Sequence, residues 1–405
     1  LVGSNQSDFP YAAVLAVWLG WTFIIVPRMV MSPLLPIIEG DFMISHETAG
    51  WLMSGYLLPY GFMQVLAGVL SDRFGRRNFI ITAVFLSSLA GCLVFFAQSF
   101  AQLLILRILA GLSAGMFFAP STAYISAHTH ARERGKAFGI IFVGGSLANV
   151  LVNLSTALGA AEILPWRLIF VLFSLPGLVF APFMISVLRE SELGHATRQD
   201  RSFQLGALLG VLRMRSVVFL LLFALVSNIW WWSFTTFAVT YFVKGRGLGI
   251  PEASFLMTLF FALGVFRNPS AGFLADRFGY YKPAIFSIAV DTLATFLIPR
   301  VATGFPVMGL LVLWGVLGEM SWISFNVFIA EVVPSRVAGA FFGLYNALGF
   351  FTGTAGPVLF GRVADIAGFG PFFDLALVIQ ILSLVLAFGV RESRGRASQL
   401  SGVTG

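Results

Sequence analysis

Arg28 interrupts a long apolar run and has Trp18, Trp21, Ile25 and Ser32 on its own face at helical steps of three and four. A guanidinium framed by aromatic rings and a hydroxyl is suited to gripping a planar anion, because its fork can bind a carboxylate or phosphate through two parallel hydrogen bonds. The competing reading is a permanent interhelical pair or a side chain reaching back to the membrane surface. Arg267 stands in a second such run, with Gly264, Asn268 and Ala271 beside it and Pro269 freeing a backbone carbonyl. It is read as a second anion contact, the alternative being an internal salt bridge to Glu319 or Asp291. Glu319, with Gly315, Trp322 and Asn326 on its expected face, is the leading candidate for carrying a coupled proton. Asp291, with Ser287 and Thr295 on its face, is the second. His46, His128, His130 and His195 all map to loops or their edges. Proton coupling, if present, therefore falls to carboxylates. Even lenient scales charge about 2.5–3.5 kcal/mol for an ion at membrane depth, so each of these residues needs a reason to be there. Trp21, Tyr124, Asn149, Asn228, Trp231 and Asn346 are candidate uncharged lining groups, with Asn153 one turn beyond Asn149. Of the run Trp230-Trp231-Trp232, at least one ring is expected to face a cavity and the others lipid.

The elements that must hold these groups are membrane helices. Hydrophobic residues make up 58% of the 405 residues and charged residues only 11%, where a soluble domain carries about 25%. Mean hydropathy is +0.91. The apolar runs predict twelve spans of roughly bilayer length, near 11–38, 48–70, 78–98, 102–126, 137–160, 167–188, 217–243, 252–274, 284–300, 305–332, 338–360 and 371–390. The first is read as the insertion signal rather than as a cleaved leader. Abundant Gly and Pro do not oppose this, since both are frequent in membrane helices. The single cysteine, Cys92, lies inside the third span and offers neither a disulfide nor a metal site.

The phrase Gly68-Val-Leu70-Ser-Asp72-Arg73-Phe-Gly75-Arg76-Arg77 recurs half a chain later as Gly272-Phe-Leu274-Ala-Asp276-Arg277-Phe-Gly279-Tyr-Tyr. Duplicated halves joined by a polar stretch predict residues 1–188 and 217–405 as two bundles, with a linker at 189–216. Phe203, Leu208, Leu209 and Leu212 followed by Arg213 and Arg215 could form an interfacial helix there, or simply begin the seventh span. Basic residues crowd the loops on one side (Arg73, Arg76, Arg77, Arg132, Arg134, Lys136 and Arg336 among them). The opposite loops carry only Arg167, Lys244, Arg246 and Arg300. The positive-inside rule then places both termini and the linker in the cytoplasm. Within the repeated phrase, Asp72 and Asp276 are expected to accept hydrogen bonds from a neighbouring helix N-terminus, and Arg73, Arg76 and Arg77 to pair with acids or headgroups, forming a latch between states to which Arg277 of the second copy also belongs.

Six plus six spans, the repeated phrase and Arg107-Ile-Leu-Ala-Gly111-Leu-Ser-Ala-Gly115 together resemble the major facilitator superfamily. The second copy of the phrase departs from the family pattern, with Tyr280 and Tyr281 where basic residues are usual. The resemblance implies an all-α membrane protein of twelve transmembrane helices in two pseudo-symmetric six-helix bundles, a multi-pass protein of the inner (plasma) membrane that works by alternating access. It also implies a gating role for Arg107. Ala355-Gly-Pro357-Val-Leu-Phe-Gly361-Arg-Val-Ala-Asp365 is similar to the anion-transporting branches, and the antiporter stretch Gly-Pro-x-x-Gly-Gly is absent from span five.

The reading is a secondary transporter of a small organic anion of carboxylate type, coupled to protons by symport. Its partners are the anion, protons and membrane lipid, with no cofactor, metal or nucleic acid, and the chain is expected to act as a monomer. The alternative is a proton-coupled efflux antiporter for drugs or metabolites, its cavity built from the 44 Phe and nine Trp. An enzyme is disfavoured, because no convergent nucleophile–base pair is visible and no Gly-x-x-x-x-Gly-Lys phosphate loop occurs.

Overall fold

The computed structural model describes residues 9–130, 133–189 and 208–390. The side chains of 265, 266, 268, 269, 276, 335, 336 and 338–340 are outside that description. The described residues form twelve rods, and ends agree with the hydropathy limits to within several residues. Span 1 is Tyr11–Phe42, with a turn at Val30; span 2 is His46–Phe74; span 3 is Arg76–Phe96; span 4 is Phe100–His128; span 5 is Arg134–Ala157; span 6 is Trp166–Val187. Span 7 is Arg215–Gly245, closing on a π-turn at Tyr241–Gly245; span 8 is Ile250–Phe278; span 9 is Tyr281–Leu297; span 10 is Phe305–Val332; span 11 is Ser335–Ala367; span 12 is Phe369–Phe388. Among the described residues, nine of these rods meet a strict length-and-hydropathy standard for crossing a bilayer. The outward faces are apolar, with Phe62, Val69, Val179, Phe183, Phe286 and Val385 all more than half exposed. Only hydrocarbon makes such a surface stable.

Local chemistry explains the ends. Ser99 opens span 4 as a capping box: its side chain accepts from the Gln102 N–H while Gln102 Oε1 accepts from the Gln98 N–H. The two copies of the repeated phrase end their helices alike. Gly75 (φ 91°) and Gly279 (φ 75°) take a backbone state that disfavours any side chain.

Two compact units emerge. The first comprises 1–44, 51–197 and 248–258; the second comprises 45–50, 198–247 and 259–405. The same packing diagram serves both. In the first, span 1 packs on spans 5 and 6, and span 3 on spans 4 and 6; in the second, span 7 packs on spans 11 and 12, and span 9 on spans 10 and 12. Small residues let backbones touch, as they must where lipid supplies no hydrophobic drive between helices. Gly111 sits against the Tyr56 carbonyl of span 2, and its counterpart Gly315 against the Phe260 carbonyl of span 8. Spans 4 and 10 each break near the middle, at 116–117 and 318–320.

Within the second unit, Asp365 at the end of span 11 accepts the His46 N–H (2.9 Å) and the Glu47 N–H (2.8 Å), capping the start of span 2. Most of the linker, 190–207, is outside the described residues. At 208–212 a short helical run buries Val211, with Leu208 and Leu212 partly buried, against Phe325, Phe328 and Ile329 of span 10, and leaves Leu209 exposed.

Candidate functional site

In the first unit, Arg28 and Arg107 converge on span 2. Gly111 and Gly115 draw span 4 against the backbone of Tyr56 and Tyr60, one turn apart, and the Tyr56 ring lies near both arginines. The Arg28 guanidinium lies 6.0 Å from the Tyr56 ring centre and 5.9 Å from that of Tyr60; Arg107 lies 4.8 Å from Tyr56. Contacts of this kind contribute about 0.5–2 kcal/mol each, more when desolvated. Arg107 is 2% exposed and donates Nη1–H to the Pro27 carbonyl at 2.8 Å. Its Nε and Nη2, and the Tyr56 hydroxyl, have no hydrogen-bond partner among the described residues. Two buried cations thus share one ring, with donor capacity left over. An acceptor-rich anion is the chemistry that fits such a cluster.

The aromatic partners of Arg28 are therefore the tyrosines of span 2 rather than the tryptophans of its own face. Trp21 stacks on Phe117 (5.9 Å) and Phe118 (5.6 Å) of span 4, beside Gly145. Asn149 and Asn153 donate to the carbonyls of Gly145 and Asn149 in their own helix, which leaves the Asn149 Oδ1 buried without a partner among the described residues. Tyr124 lies apart from the arginines. Its hydroxyl donates to the Arg189 carbonyl and accepts from the Arg189 N–H, tying span 4 to the end of span 6.

In the second unit the chemistry is acidic. Asp291, 4% exposed, accepts the Trp314 Nε1–H at 2.7 Å, and its two oxygens lie 3.0 and 3.3 Å from the Glu319 N–H. Glu319 occupies the break in span 10 with φ of 57°, a left-handed state that costs a non-glycine residue about 1–2 kcal/mol. The unbroken face Gly315–Glu319–Trp322–Asn326 expected from sequence is accordingly not continuous. Trp322 is 43% exposed and stacks on Tyr345. Arg267, on span 8, has Glu319 and Asp291 as its electrostatic neighbours, and Gly264 leaves room beside its guanidinium. One cation faced by two carboxylates is charge-balanced when one of the acids holds a proton, and releasing that proton leaves one net negative charge for an arriving cation or proton to neutralise.

The other expected lining groups are less engaged. Asn228 and Asn346 each donate to a carbonyl one turn back, at Ala224 and Phe342, and Gly349 packs on the Asn228 amide. Trp230 is buried among Phe234, Phe360, Phe372 and Phe373, and Trp232 is buried against Phe350 and Gly353. Neither ring faces lipid: Gly353 of span 11 admits Trp232, and phenylalanines of spans 7, 11 and 12 enclose Trp230. Trp231 is half-buried. In the repeated phrase, Asp72 pairs with Arg76 of the next helix at 2.8 Å rather than accepting from a helix N-terminus. Arg73 and Arg277 lie equally over the rings of Phe74 and Phe278, at 5.5 Å. The Asp276 side chain is outside the described residues. Among the described residues, Asp365 and Asp291 receive main-chain N–H groups at a helix start and a helix break, a role that sequence reading had given to Asp72 and Asp276. Tyr56, Tyr60 and Trp314 were also missed, although the Tyr56–Tyr60 spacing in a membrane helix was a usable signal. Among the described residues no three His, Cys, Asp or Glu side chains assemble as a metal site.

This arrangement sits in a chain with clear relatives. The chain is 25% identical over 367 residues to a hexuronate transporter of Bacillus subtilis, covering 84% of this chain and 85% of that protein. It is 27% identical over 402 residues to a protein of Cupriavidus pinatubonensis named a probable 4-methylmuconolactone transporter, covering 94% and 90%. Its fold is similar to the crystal structure of a bacterial homologue of the human lysosomal transporter Spinster, with a TM-score of 0.79 at 17% identity over 96% of this chain and 100% of that one. The Major Facilitator Superfamily profile matches residues 17–357 and 242–401. With twelve helical rods in two like-packed units and that match across its length, the chain belongs to the Major Facilitator Superfamily of membrane transporters.

Proposed function

We propose that this protein carries a small organic anion across the inner membrane together with protons. The observation that carries the reading is the Arg28–Tyr56–Arg107 cluster, where two buried guanidiniums share one ring and Arg107 keeps unfilled donor positions. A carboxylate or related anion supplies the countercharge and the acceptors that this cluster asks for. Two relatives, one named a hexuronate transporter and one a probable 4-methylmuconolactone transporter, support the substrate class.

Arg267 is the second anion contact in this reading, and Glu319 with Asp291 carries or senses the proton. Trp21, Asn149, Asn228, Trp231 and Asn346 are secondary lining groups. The bundles 1–188 and 217–405 alternate access to the bound anion, while Asp72, Arg73, Arg76, Asp276, Arg277 and Arg107 stabilise particular states. Both termini face the cytoplasm, as the basic loops favour.

Uptake of labelled glucuronate and other carboxylates into proteoliposomes, with and without an inward proton gradient, tests this. The expected outcome is gradient-stimulated uptake that falls at least about a hundredfold in Arg28→Ala and in Arg267→Ala, the scale of losing a desolvated charge-assisted contact. Normal transport of every anion by both variants overturns the assignment of Arg28 and Arg267 as anion contacts. Resistance to lipophilic cations in an efflux-deficient host, dependent on Glu319 but not on Arg28, would favour export instead.

A further inference from the structure

Span 10 does not merely contain Glu319; another helix holds Glu319 in place. Between Leu317 and Ser321 the helix is interrupted, and the Glu319 N–H is received by the Asp291 carboxylate of span 9 instead of by its own helix. The same carboxylate takes the indole N–H of Trp314, one turn before the break, so a single side chain staples both lips of the interruption. Gly318 makes this possible, because a Cβ there would run into Asp291 Oδ1 and the Trp314 ring. In the left-handed state thus held, Glu319 is an electrostatic neighbour of Arg267 on span 8. Among described non-glycine residues, only Met43 shares that backbone state.

Span 4 offers the internal control. Its break at 116–117 is closed by its own backbone, with the Met116 N–H bonded to Ser113 and the Phe117 N–H to Ala114, and no side chain is required. The charged groups that face Asp291 are Arg267 from span 8 and Glu319 from span 10. Span 12 also packs on span 9, and its buried face of Phe372, Phe373, Ala376, Gln380, Ser383 and Ala387 is uncharged.

We infer that Asp291 is a positioning residue that fixes the backbone of Glu319, and through it the relation of the Glu319 carboxylate to Arg267. The inference rests on the proposed coupling role of Glu319 only for its consequence in transport. The staple itself can be tested without any substrate.

The test is a double-mutant cycle on the purified full chain, read as apparent unfolding temperature. Asp291→Ala is expected to lower that temperature by several degrees in the Glu319 background. In the Glu319→Gly background the loss is expected to be less than half as large, because glycine adopts the left-handed state without being held. Asp291→Asn keeps an acceptor oxygen and is expected to recover most of the loss. It also completes the cycle if Asp291→Ala fails to fold. Equal losses in the two backgrounds overturn the inference, as does an Asp291→Asn no better than Asp291→Ala. In proteoliposomes with labelled glucuronate, Asp291→Ala is expected to lose about tenfold in gradient-driven accumulation. Coupling in the cycle together with gradient-independent uptake would retain the staple and discard the proton reading.

Discussion

The two units share a packing diagram and even a pair of broken helices, yet they fill corresponding interiors with opposite chemistry. The first gathers Arg28 and Arg107 on tyrosine rings; the second gathers Asp291 and Glu319 opposite Arg267. Gly111 and Gly315 do the same job in both, bringing spans 2 and 4, or 8 and 10, into backbone contact. One turn on, the copies diverge: Gly115 packs on the Tyr60 carbonyl, whereas Glu319 is held by an aspartate. Helix packing therefore constrains the duplicated scaffold more tightly than it constrains the polar groups mounted on it. A duplicated bundle can thus mount a pair of arginines in one half and an acid-rich cluster in the other without repacking.

The sharpest way to break this comparison is to remove the cation from each side. Arg267→Leu strips the buried Asp291 and the half-buried Glu319 of their counterion and is expected to cost about 3 kcal/mol of stability. Arg107→Leu removes a cation held by a ring and a carbonyl, and is expected to be neutral or slightly stabilising while abolishing transport. Thermal unfolding of the two purified variants, beside uptake, decides it; equal losses would mean that the units are not chemically opposed. Next in size is Gly318→Ala, whose Cβ would displace the Asp291 carboxylate and the Trp314 ring at an expected cost of about 2 kcal/mol. An unfolding temperature like that of the parent would show that the break is slack. The smallest effect belongs to the repeated phrase. Tyr280 stands where the first copy has Arg76, so only the first copy has the Asp72–Arg76 pair, which is partly exposed. Asp72→Asn is expected to change stability by less than about 0.5 kcal/mol, and any transport defect it causes must then come from gating rather than folding.

Much of this was legible in the sequence. Membrane helices announce themselves by length and apolarity, so the ends of spans 6 and 10 were readable almost to the residue. The repeated Phe-Gly pairs announced the turns at Gly75 and Gly279, because few other residues accept that backbone state. Helical spacing identified Arg28 as exceptional but chose the wrong aromatic partners, since it reports neighbours on one helix and not across to Tyr56 and Tyr60. The same limit hid the bond between Asp291 and the main chain of Glu319, which joins two helices through a group that every residue possesses. In lipid both faces of a span are apolar, so the amphipathic stripe that would betray the packed face of a soluble helix is missing.

Asp365 anchors main chain rather than side chains. The groups it receives belong to residues 46 and 47 only as positions, whatever side chains stand there. Drift at His46 or Glu47 leaves those two amides in place, while loss of the acid removes their acceptor at one stroke. The burden of heredity at this joint therefore falls on one codon near the end of span 11, and the two positions it secures are comparatively free to vary.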